Sequence, residues 1–222
     1  MLNHIAFIMD GNGRWANKQG KSRQEGHKAG FDNLVAILKE CKAQGLQSAT
    51  CYAFSTENWK RPQAEVDFLM NVPMELYKQR KQELLDTKIK IQFVGRRDRI
   101  PSHTLRAMEQ IETDTKDFDA FTGYIAFDYG SQDELVRIIR QIKQDSTIHS
   151  IDESLISSML EVPTIDLLIR TSGEVRLSNF LLWQAAYAEL IFVDDYWPDF
   201  GPSRLQEVLK EYNKRNRRFG GL

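Results

Sequence analysis

One short segment near the start of the sequence has the residue types that a phosphate site requires. It reads DGNGR over Asp10–Arg14 and follows directly on an apolar run. Its two glycines allow a sharp turn and leave backbone N–H groups open to a ligand, and a helix starting there would direct its first N–H groups at an anion. Arg23, His27 and Lys28 follow within eighteen residues of Asp10. A carboxylate beside phosphate-binding groups suits Mg²⁺, so the segment predicts a site for a magnesium diphosphate.

The same segment is compatible with a plain Asp-Gly turn surrounded by solvated charges, and its residues alone leave that alternative open. Three other motifs are excluded. The chain lacks G-x-x-x-x-G-K-[ST] and G-x-G-x-x-G, the two glycine patterns that bind nucleotide phosphates. An EF-hand loop that began at Asp10 would place Arg14 and Lys21 at its fifth and twelfth positions, and neither residue ligates calcium.

The hydrophobic pattern predicts an α/β fold that would position these residues. Stretches with apolar residues three or four apart indicate helices around Phe31–Cys41, over Glu65–Lys88 with a kink at Pro73, and around Leu105–Ile111 and Leu135–Ile142. Continuous apolar strands joined by helices are typical of a mainly parallel sheet covered on both faces, whose ligands bind at the carboxyl ends of the strands. The six predicted strands are His4–Met9, Ser48–Phe54, Ile89–Val94, Thr122–Phe127, Ile165–Ile169 and Leu190–Val193.

The composition indicates a folded chain with almost no net charge. Its 222 residues carry 30 Lys and Arg against 31 Asp and Glu, which argues against a nucleic-acid binder. No linker rich in Pro, Gly or Ser divides the sequence, so we expect one domain over residues 1–222. The two cysteines, Cys41 and Cys51, favour a reducing compartment over a disulfide framework. Because the sequence has neither a long apolar run nor the basic start of a signal peptide, we expect a cytoplasmic protein.

Four segments together carry a family resemblance. They are DGNGRWA at Asp10–Ala16, GHKAG at Gly26–Gly30, YAFSTENWKRP at Tyr52–Pro62 and DLLIRTSGEVRLSNFLLWQAAYAEL at Asp166–Leu190. In this order they resemble the cis-prenyltransferases, the (Z)-polyprenyl diphosphate synthases of which bacterial undecaprenyl diphosphate synthase is the best known. The resemblance extends from His4 to the terminal RRFGG, which is nearly the whole chain.

The resemblance implies a reaction, a metal and an assembly. The family adds isopentenyl diphosphate units to an allylic diphosphate primer, commonly farnesyl diphosphate, and forms a new cis double bond each time. It uses Mg²⁺ and works as a homodimer. The product would be a (Z)-polyprenyl diphosphate such as undecaprenyl diphosphate, a precursor of the lipid carrier for envelope glycans, made with at most peripheral membrane contact. A short-chain (Z)-prenyl synthase and a non-catalytic accessory subunit of the same fold are the alternatives.

The resemblance also implies roles for individual residues. Asp10 matches the aspartate that handles metal and diphosphate, Glu189 matches a carboxylate that helps to hold Mg²⁺, and Asn58 matches a residue implicated in proton removal. The mobile loop over the active site contains Ser55, Glu57 and Trp59 besides Asn58. The site for the diphosphate of isopentenyl diphosphate matches Arg170, Arg176 and Ser178. The site for the primer's diphosphate matches Gly11, Asn12, Gly13, Arg14, Trp15, Arg23, His27 and Arg61.

A growing prenyl chain needs an apolar tunnel, and several predicted elements offer a wall for it. Each candidate residue could equally pack a core, so the tunnel is expected only as a property of the whole set. The candidates are Leu69, Met70, Leu76 and Tyr77 on the helix with Pro73, and Ile91, Phe93, Ile125 and Phe127 on the strands.

Three features depart from the family pattern or extend beyond it. Asp128–Gln132 reads DYGSQ where NYGGR is usual, and Val175 stands where some members have a histidine that ligates Mg²⁺. These departures bear on product length and metal geometry more than on the reaction. The acidic stretch Asp194–Asp199 is similar to the metal motif of the all-helical trans-prenyltransferases, but Pro198 and the strand before it favour a loop. By composition, the basic tail Lys214–Leu222 is compatible with a disordered arm that meets phosphate or an anionic membrane. The resemblance favours instead a C-terminal element near the dimer interface and the active site.

Overall fold

Six strands form one sheet in which all neighbouring strands are parallel. The computed structural model describes residues 2–214, so the predicted C-terminal element lies outside the described residues apart from Lys214. Across the sheet the strand order is β3-β4-β2-β1-β5-β6. The predicted α/β fold around a mainly parallel six-stranded sheet is confirmed. Along the chain the strands are β1 His4–Ile8, β2 Ser48–Ser55, β3 Lys90–Val94, β4 Thr122–Tyr129, β5 Leu167–Arg170 and β6 Glu189–Phe192.

Seven α-helices flank the sheet in the described part of the chain. Two short 3-10 turns, Thr56–Lys60 and Trp197–Asp199, each follow the carboxyl end of a strand; the first is called the 56–60 turn below. No helix within residues 2–214 has the length and apolar character needed to cross a membrane. The helices are α1 Asn12–Lys18, α2 Arg23–Ala43, α3 Gln63–Asp86, α4 Ser102–Thr115, α5 Ser131–Gln144, α6 Glu153–Met159 and α7 Pro202–Tyr212.

The irregularity of α3 lies at Arg80 and not at Pro73. Pro73 is buried within helical backbone, whereas Arg80 has φ −133° and ψ 23°. The Arg80 guanidinium lies 2.8 Å from Asp32 on α2, and its Nε lies 3.8 Å from Glu83. The sequence analysis expected a kink at Pro73; the non-helical backbone lies instead at Arg80, where a side chain pairs with the neighbouring helix.

β1 is buried along its whole length because both faces of the sheet are covered. Ile5 and Phe7 belong to the core on one face, together with apolar residues of α2 and α7. Ala6 and Ile8 belong to the core on the other face. Successive side chains of a strand point to opposite faces, so a strand in this position needs an uninterrupted apolar run.

The strand order creates a switch point beside β1. The next strand along the chain, β2, pairs with one edge of β1, and the late strand β5 pairs with the other, so that Ile8 lies opposite both Tyr52 and Arg170. Ligands of open parallel sheets bind outside the carboxyl ends of the strands at such a point. Asp10, two residues past Ile8, lies at this place.

Candidate active site

A polar cavity of about 770 Å³ opens at the carboxyl ends of β1, β2 and β5. It is lined by the segments that follow these strands and by the first turns of α1 and α2. Its size is typical of a ligand site. Of the residues predicted from the sequence, it brings together Asp10, Gly11, Asn12, Gly13, Arg14, Arg23, His27, Ser55, Glu57, Asn58, Arg61, Arg170, Arg176 and Ser178.

Arg170 is the buried centre of one cationic cluster. Its Nη2 donates to Asp10 Oδ2 at 3.0 Å, and its Nη1 donates to Ser178 Oγ at 2.8 Å and to the backbone oxygen of Arg176. Its Nε is buried and has no hydrogen-bond partner among residues 2–214. Burial tends to raise the pKa of Asp10, but the hydrogen bond from Arg170 and the charges of Arg14 and Arg170 hold that pKa below its usual value. Asp10 is therefore an ionised carboxylate at neutral pH.

Glu174 joins two of the predicted arginines. Its carboxylate accepts hydrogen bonds from Arg14 Nη1 at 3.1 Å and from Arg176 Nη1. Arg14 also lies 3.1 Å from Asp10 through its Nη2. Arg14, Asp10, Arg170, Glu174 and Arg176 thus form one continuous charged group, in which each arginine already has an acidic partner that fixes its direction.

Glu65 is the common partner of a second cationic cluster. This carboxylate at the start of α3 lies 2.8 Å from Arg61, 3.4 Å from Arg23 and 3.4 Å from His27 Nε2. Its side chain is only 10% exposed. Burial lowers the pKa of His27, and Glu65 compensates only in part, so the ring is neutral at pH 7. Glu65 therefore holds three predicted primer-binding side chains in one place.

Close packing between α1 and α2 explains two of the glycines. A Cβ on Gly26 would lie 2.2 Å from the backbone oxygen of Asn12, and a Cβ on Gly30 would lie 2.3 Å from the Asn12 side chain. The two glycines, four residues apart, make a flat strip on α2 against which α1 rests. Asn12 Oδ1 is buried there and accepts no hydrogen bond from the described part of the chain. The helix pair thus fixes the Gly11–Arg14 segment at the cavity.

The 56–60 turn covers the cavity from the β2 side. The Ser55 N–H donates to Asn58 Oδ1 at 3.1 Å, and Asn179 Nδ2 donates to Glu57 Oε1 at 3.1 Å. Burial tends to raise the pKa of Glu57, but hydrogen bonds from Asn179 and the turn itself hold it below its usual value. The turn is therefore joined to the segment that carries Ser178.

Comparison with known proteins assigns the chain to a family. Residues 8–220 match the prenyltransferase family described as "Putative undecaprenyl diphosphate synthase". The chain belongs to this family. An isoprenyl transferase of Listeria monocytogenes serotype 4b (strain F2365) is 43% identical over 229 residues, which cover 99% of this chain and 90% of that protein. The cis-prenyltransferase resemblance is thereby confirmed.

Two solved structures of the same kind resemble this prenyltransferase along its whole length. Lavandulyl diphosphate synthase from Lavandula x intermedia, in complex with dimethylallyl diphosphate, gives a TM-score of 0.94 at 32% identity, covering 99% of this chain and 98% of that one. A "probable undecaprenyl diphosphate synthase" from Campylobacter jejuni gives 0.85 at 27% identity, covering 100% and 99%.

Three residues of the predicted site lie outside the cavity of this prenyltransferase. The Trp15 indole donates to Asp199 Oδ1 at 2.7 Å and lies beneath Lys21. Trp59 does not line the cavity, and its indole N–H donates to Asp128 at the end of β4. Glu189 begins β6, level with Leu167 at the amino edge of the parallel sheet, whereas Asp10 follows the carboxyl edge. Through Leu167, Glu189 is level with Ile5, three residues before β1 ends, so Glu189 and Asp10 lie at opposite ends of the strands and the predicted metal pair is not assembled within one chain.

The sequence analysis missed three residues that organise the prenyltransferase site: Glu65, Glu174 and Asn179. Glu65 lies four residues after Arg61, a spacing typical of helical ion pairs that could have indicated it. Glu174 lies two residues before Arg176, and only the fold shows that it also reaches Arg14. Val175, between them, is 73% exposed and does not line the cavity.

An apolar cavity lies beside the polar one, and Ala53 lines both. It is enclosed by α2, α3 and the strands β2 to β4, and its volume is about 80 Å³. Of the predicted wall, Leu76, Ile91, Phe93, Ile125 and Phe127 line it. Leu69 lines the polar cavity instead, Met70 packs in a core cluster, and the Tyr77 hydroxyl donates to Asp114.

Proposed function

We propose that this prenyltransferase condenses isopentenyl diphosphate with an allylic diphosphate primer, farnesyl diphosphate in the first instance, and releases diphosphate. The observation that carries the proposal is one cavity lined by both cationic clusters: Arg170 and Arg176 of the first, and Arg23, His27 and Arg61 of the second. Two diphosphates held side by side repel each other by about 4 kcal/mol per pair of unit charges at 4 Å and an effective dielectric constant near 20. A site that holds both substrates therefore requires several cationic side chains to offset this repulsion.

Each cluster would bind one diphosphate. Arg23, His27 and Arg61, together with the backbone of Gly11–Arg14, would bind that of the primer. Arg170, Arg176 and Ser178 would bind that of isopentenyl diphosphate. Arginine presents paired N–H groups that match phosphate oxygens, which lysine does not. Glu65 and Glu174 hold these guanidinium groups in place before any substrate arrives.

Asp10 suits Mg²⁺ in combination with diphosphate oxygens. Mg²⁺ usually keeps several waters and binds through one or two carboxylates and the substrate phosphates. Within residues 2–214, no three His, Cys, Asp or Glu side chains lie close enough to enclose a metal, so the ionised Asp10 carboxylate fits this open mode. When bound, the ion would neutralise charge on the departing diphosphate. Glu189 is not part of the proposed set within one chain.

The chain's own residues would then separate charge and exclude water. The bond between the allylic carbon and its diphosphate oxygen breaks, and that carbon joins the terminal alkene carbon of isopentenyl diphosphate. The new double bond would form as the adjacent carbon loses a proton to an oxygen of the released diphosphate. Arg23 and Arg61 would stabilise the leaving diphosphate, and apolar side chains such as Ile8 would face the allylic cation. The amide of Asn58 accepts the Ser55 N–H and is not basic, so its role would be to orient the group that loses the proton.

The product we propose is a (Z)-polyprenyl diphosphate such as undecaprenyl diphosphate, with its chain growing into the apolar cavity beyond Ala53. A short-chain product is the second candidate. The volume of about 80 Å³ favours it, because a long prenyl chain would require α2 and α3 to move apart. The likeness to a lavandulyl diphosphate synthase that was solved with dimethylallyl diphosphate supports trying that shorter primer as well.

We also propose a cytoplasmic homodimer. Val136 and Ile139, three residues apart on α5, are exposed, as are Leu182 and Tyr187 on the segment before β6. A contiguous exposed apolar patch marks an interface, and we propose that these side chains lie in one. Cys41 and Cys51 are free and buried, which suits a reducing compartment. Membrane contact would be peripheral and limited to release of a lipid product.

The decisive experiment is incubation of the purified protein with MgCl₂, farnesyl diphosphate and labelled isopentenyl diphosphate, with products separated by chain length. A ladder ending near the undecaprenyl length supports the first product, and a stop after one or a few additions supports the second. If no label enters a lipid with either farnesyl or dimethylallyl diphosphate, the chain is not a catalyst on its own and the accessory-subunit alternative stands. The same reaction with EDTA tests the requirement for Mg²⁺.

A further inference from the structure

Asp128 is a fully buried carboxylate at the carboxyl end of β4. It replaces the asparagine of the family pattern, and its backbone lies in the left-handed region at φ +50°. Arg99 donates to it twice, from Nε to Oδ2 at 2.7 Å and from Nη2 to Oδ1 at 2.6 Å. Trp59 Nε1 donates to the same Oδ1 at 2.9 Å. Asp128 thus joins a residue of the β3–α4 connection to a residue of the 56–60 turn.

Trp59 is held from three sides. Its N–H is bound by Asp128, the Arg99 guanidinium carbon lies 5.2 Å from its ring centroid, and Phe54 packs edge-on at 5.3 Å. Trp59 does not line the cavity, but Asn58 and its neighbours on the same turn do. The indole is therefore placed to anchor the turn from behind.

A second contact joins the same parts of the fold. A Cβ on Gly130 would lie 2.6 Å from Thr56 Oγ1 and 2.8 Å from Asn179 Nδ2. The segment that follows Asp128 therefore rests directly on the 56–60 turn and on the segment carrying Ser178. An asparagine at position 128 would keep one oxygen for Trp59 Nε1 and Arg99 Nη2, but its Nδ2 would face Arg99 Nε donor to donor and could not replace Oδ2.

We propose that Asp128 and Arg99 form a positioning pair that acts through Trp59 and holds the 56–60 turn over the two diphosphate sites. The inference rests on the proposed function for its kinetic consequence but not for the anchor itself. Because Arg99 is positively charged, a negatively charged aspartate suits position 128 in this chain better than a neutral asparagine. The pair touches no substrate, so its loss acts on the orientation of Asn58 and Arg61.

The test is a cycle of Asp128→Asn and Trp59→Phe, with Asp98→Asn as the matched control. Asp98 lies in the same β3–α4 connection and accepts two hydrogen bonds from Arg96, but it is exposed and does not contact Trp59. We expect Asp128→Asn to lower kcat by about tenfold or more, because small displacements of catalytic groups are costly. In the Trp59→Phe background the same substitution should have little further effect, because residues that act through one contact are not additive.

A fluorine spectrum tests the anchor without relying on activity. The sequence has four tryptophans, so 5-fluorotryptophan labelling gives one resonance for each, and Trp59→Phe identifies that of Trp59. Asp128→Asn should move this resonance and leave the other three in place, whereas Asp98→Asn should move none. If Asp128→Asn does not fold, Arg99→Lys replaces it, because lysine keeps the charge and loses the paired donors.

Two results overturn the inference: an unmoved Trp59 resonance in the variant, or kcat effects that simply add across the cycle. Failure of the proposed function is distinguishable, because the parent protein would then fail to elongate any primer while its Trp59 resonance still responded to Asp128→Asn.

Discussion

Asp10 and Arg170 lie 160 positions apart in the chain, and their side chains meet at 3.0 Å across the junction of β1 and β5. The carboxylate proposed to bind Mg²⁺ is thereby the ion-pair partner of the arginine proposed to bind the diphosphate of isopentenyl diphosphate. Removing either member alters both sites at once, since the remaining charge is partly buried and loses its counter-ion.

Asp10→Ala should lower kcat by about a hundredfold or more, because a charge-stabilising group is removed from the reacting centre. Arg170 would also lose the acceptor that directs its Nη2. Initial rates at saturating substrates and MgCl₂ measure the effect. Asp119→Ala, at an exposed site, is the control and should match the parent. Near-normal turnover of Asp10→Ala would remove this residue from the proposed mechanism.

Arg176→Ala should raise KM for isopentenyl diphosphate by about tenfold, because one charge-assisted hydrogen bond is lost. KM for the primer should stay nearly unchanged. Arg23→Ala should do the reverse, because Arg23 belongs to the cluster around Glu65 that is proposed to bind the primer. Steady-state kinetics with each substrate varied in turn decide the assignment. A rise confined to the primer in Arg176→Ala would contradict it.

Gly26→Ala should destabilise the protein by about 1–3 kcal/mol, the usual cost of overpacking, because the new methyl group meets the backbone of α1. Gly30→Ala should cost less stability, since it meets only the Asn12 side chain, but it should raise KM for the primer by displacing that side chain. Urea unfolding measures the first effect and kinetics the second. Gln24→Ala, at an exposed position of α2, should be neutral in both. Equal stability of Gly26→Ala and Gln24→Ala would refute the close packing.

The free energy of unfolding should fall as the pH falls from 6.5 to about 4 because of His4. Burial lowers the pKa of this ring to about 4, against an ordinary value of 6.5. The unfolded chain therefore binds the proton over this range and the folded chain does not, which amounts to about 3 kcal/mol in all. Urea unfolding across the range should show a shallower pH slope in His4→Gln than in the exposed control His149→Gln. Identical slopes would mean that His4 is protonated in the folded state.

The strands could be predicted from the sequence because each is a continuous apolar run. Most of the residues that line the cavity could be predicted as well, because they follow such a run. The same pattern also indicates that Glu189 lies at the opposite end of the strands from Asp10. It precedes the run Leu190–Val193, whereas Asp10 follows His4–Met9, and in a parallel sheet those places are opposite edges. The role of Asp128 could not be predicted, because Arg99 and Trp59 reach it only through the pairing of β3 and β2 with β4.

The pairing of β1 with β5 also bears on how the chain is made. β1 ends at residue 8 and its neighbour β5 begins at residue 167, so during synthesis one edge of an apolar strand stays uncovered until most of the protein has left the ribosome. Unpaired strand edges promote aggregation, and pairings of such long range fold slowly. Arg170 arrives with β5, so a diphosphate cannot stabilise the incomplete chain by bridging both sites. Binding across both proposed sites can therefore protect β1 only after β5 has been made.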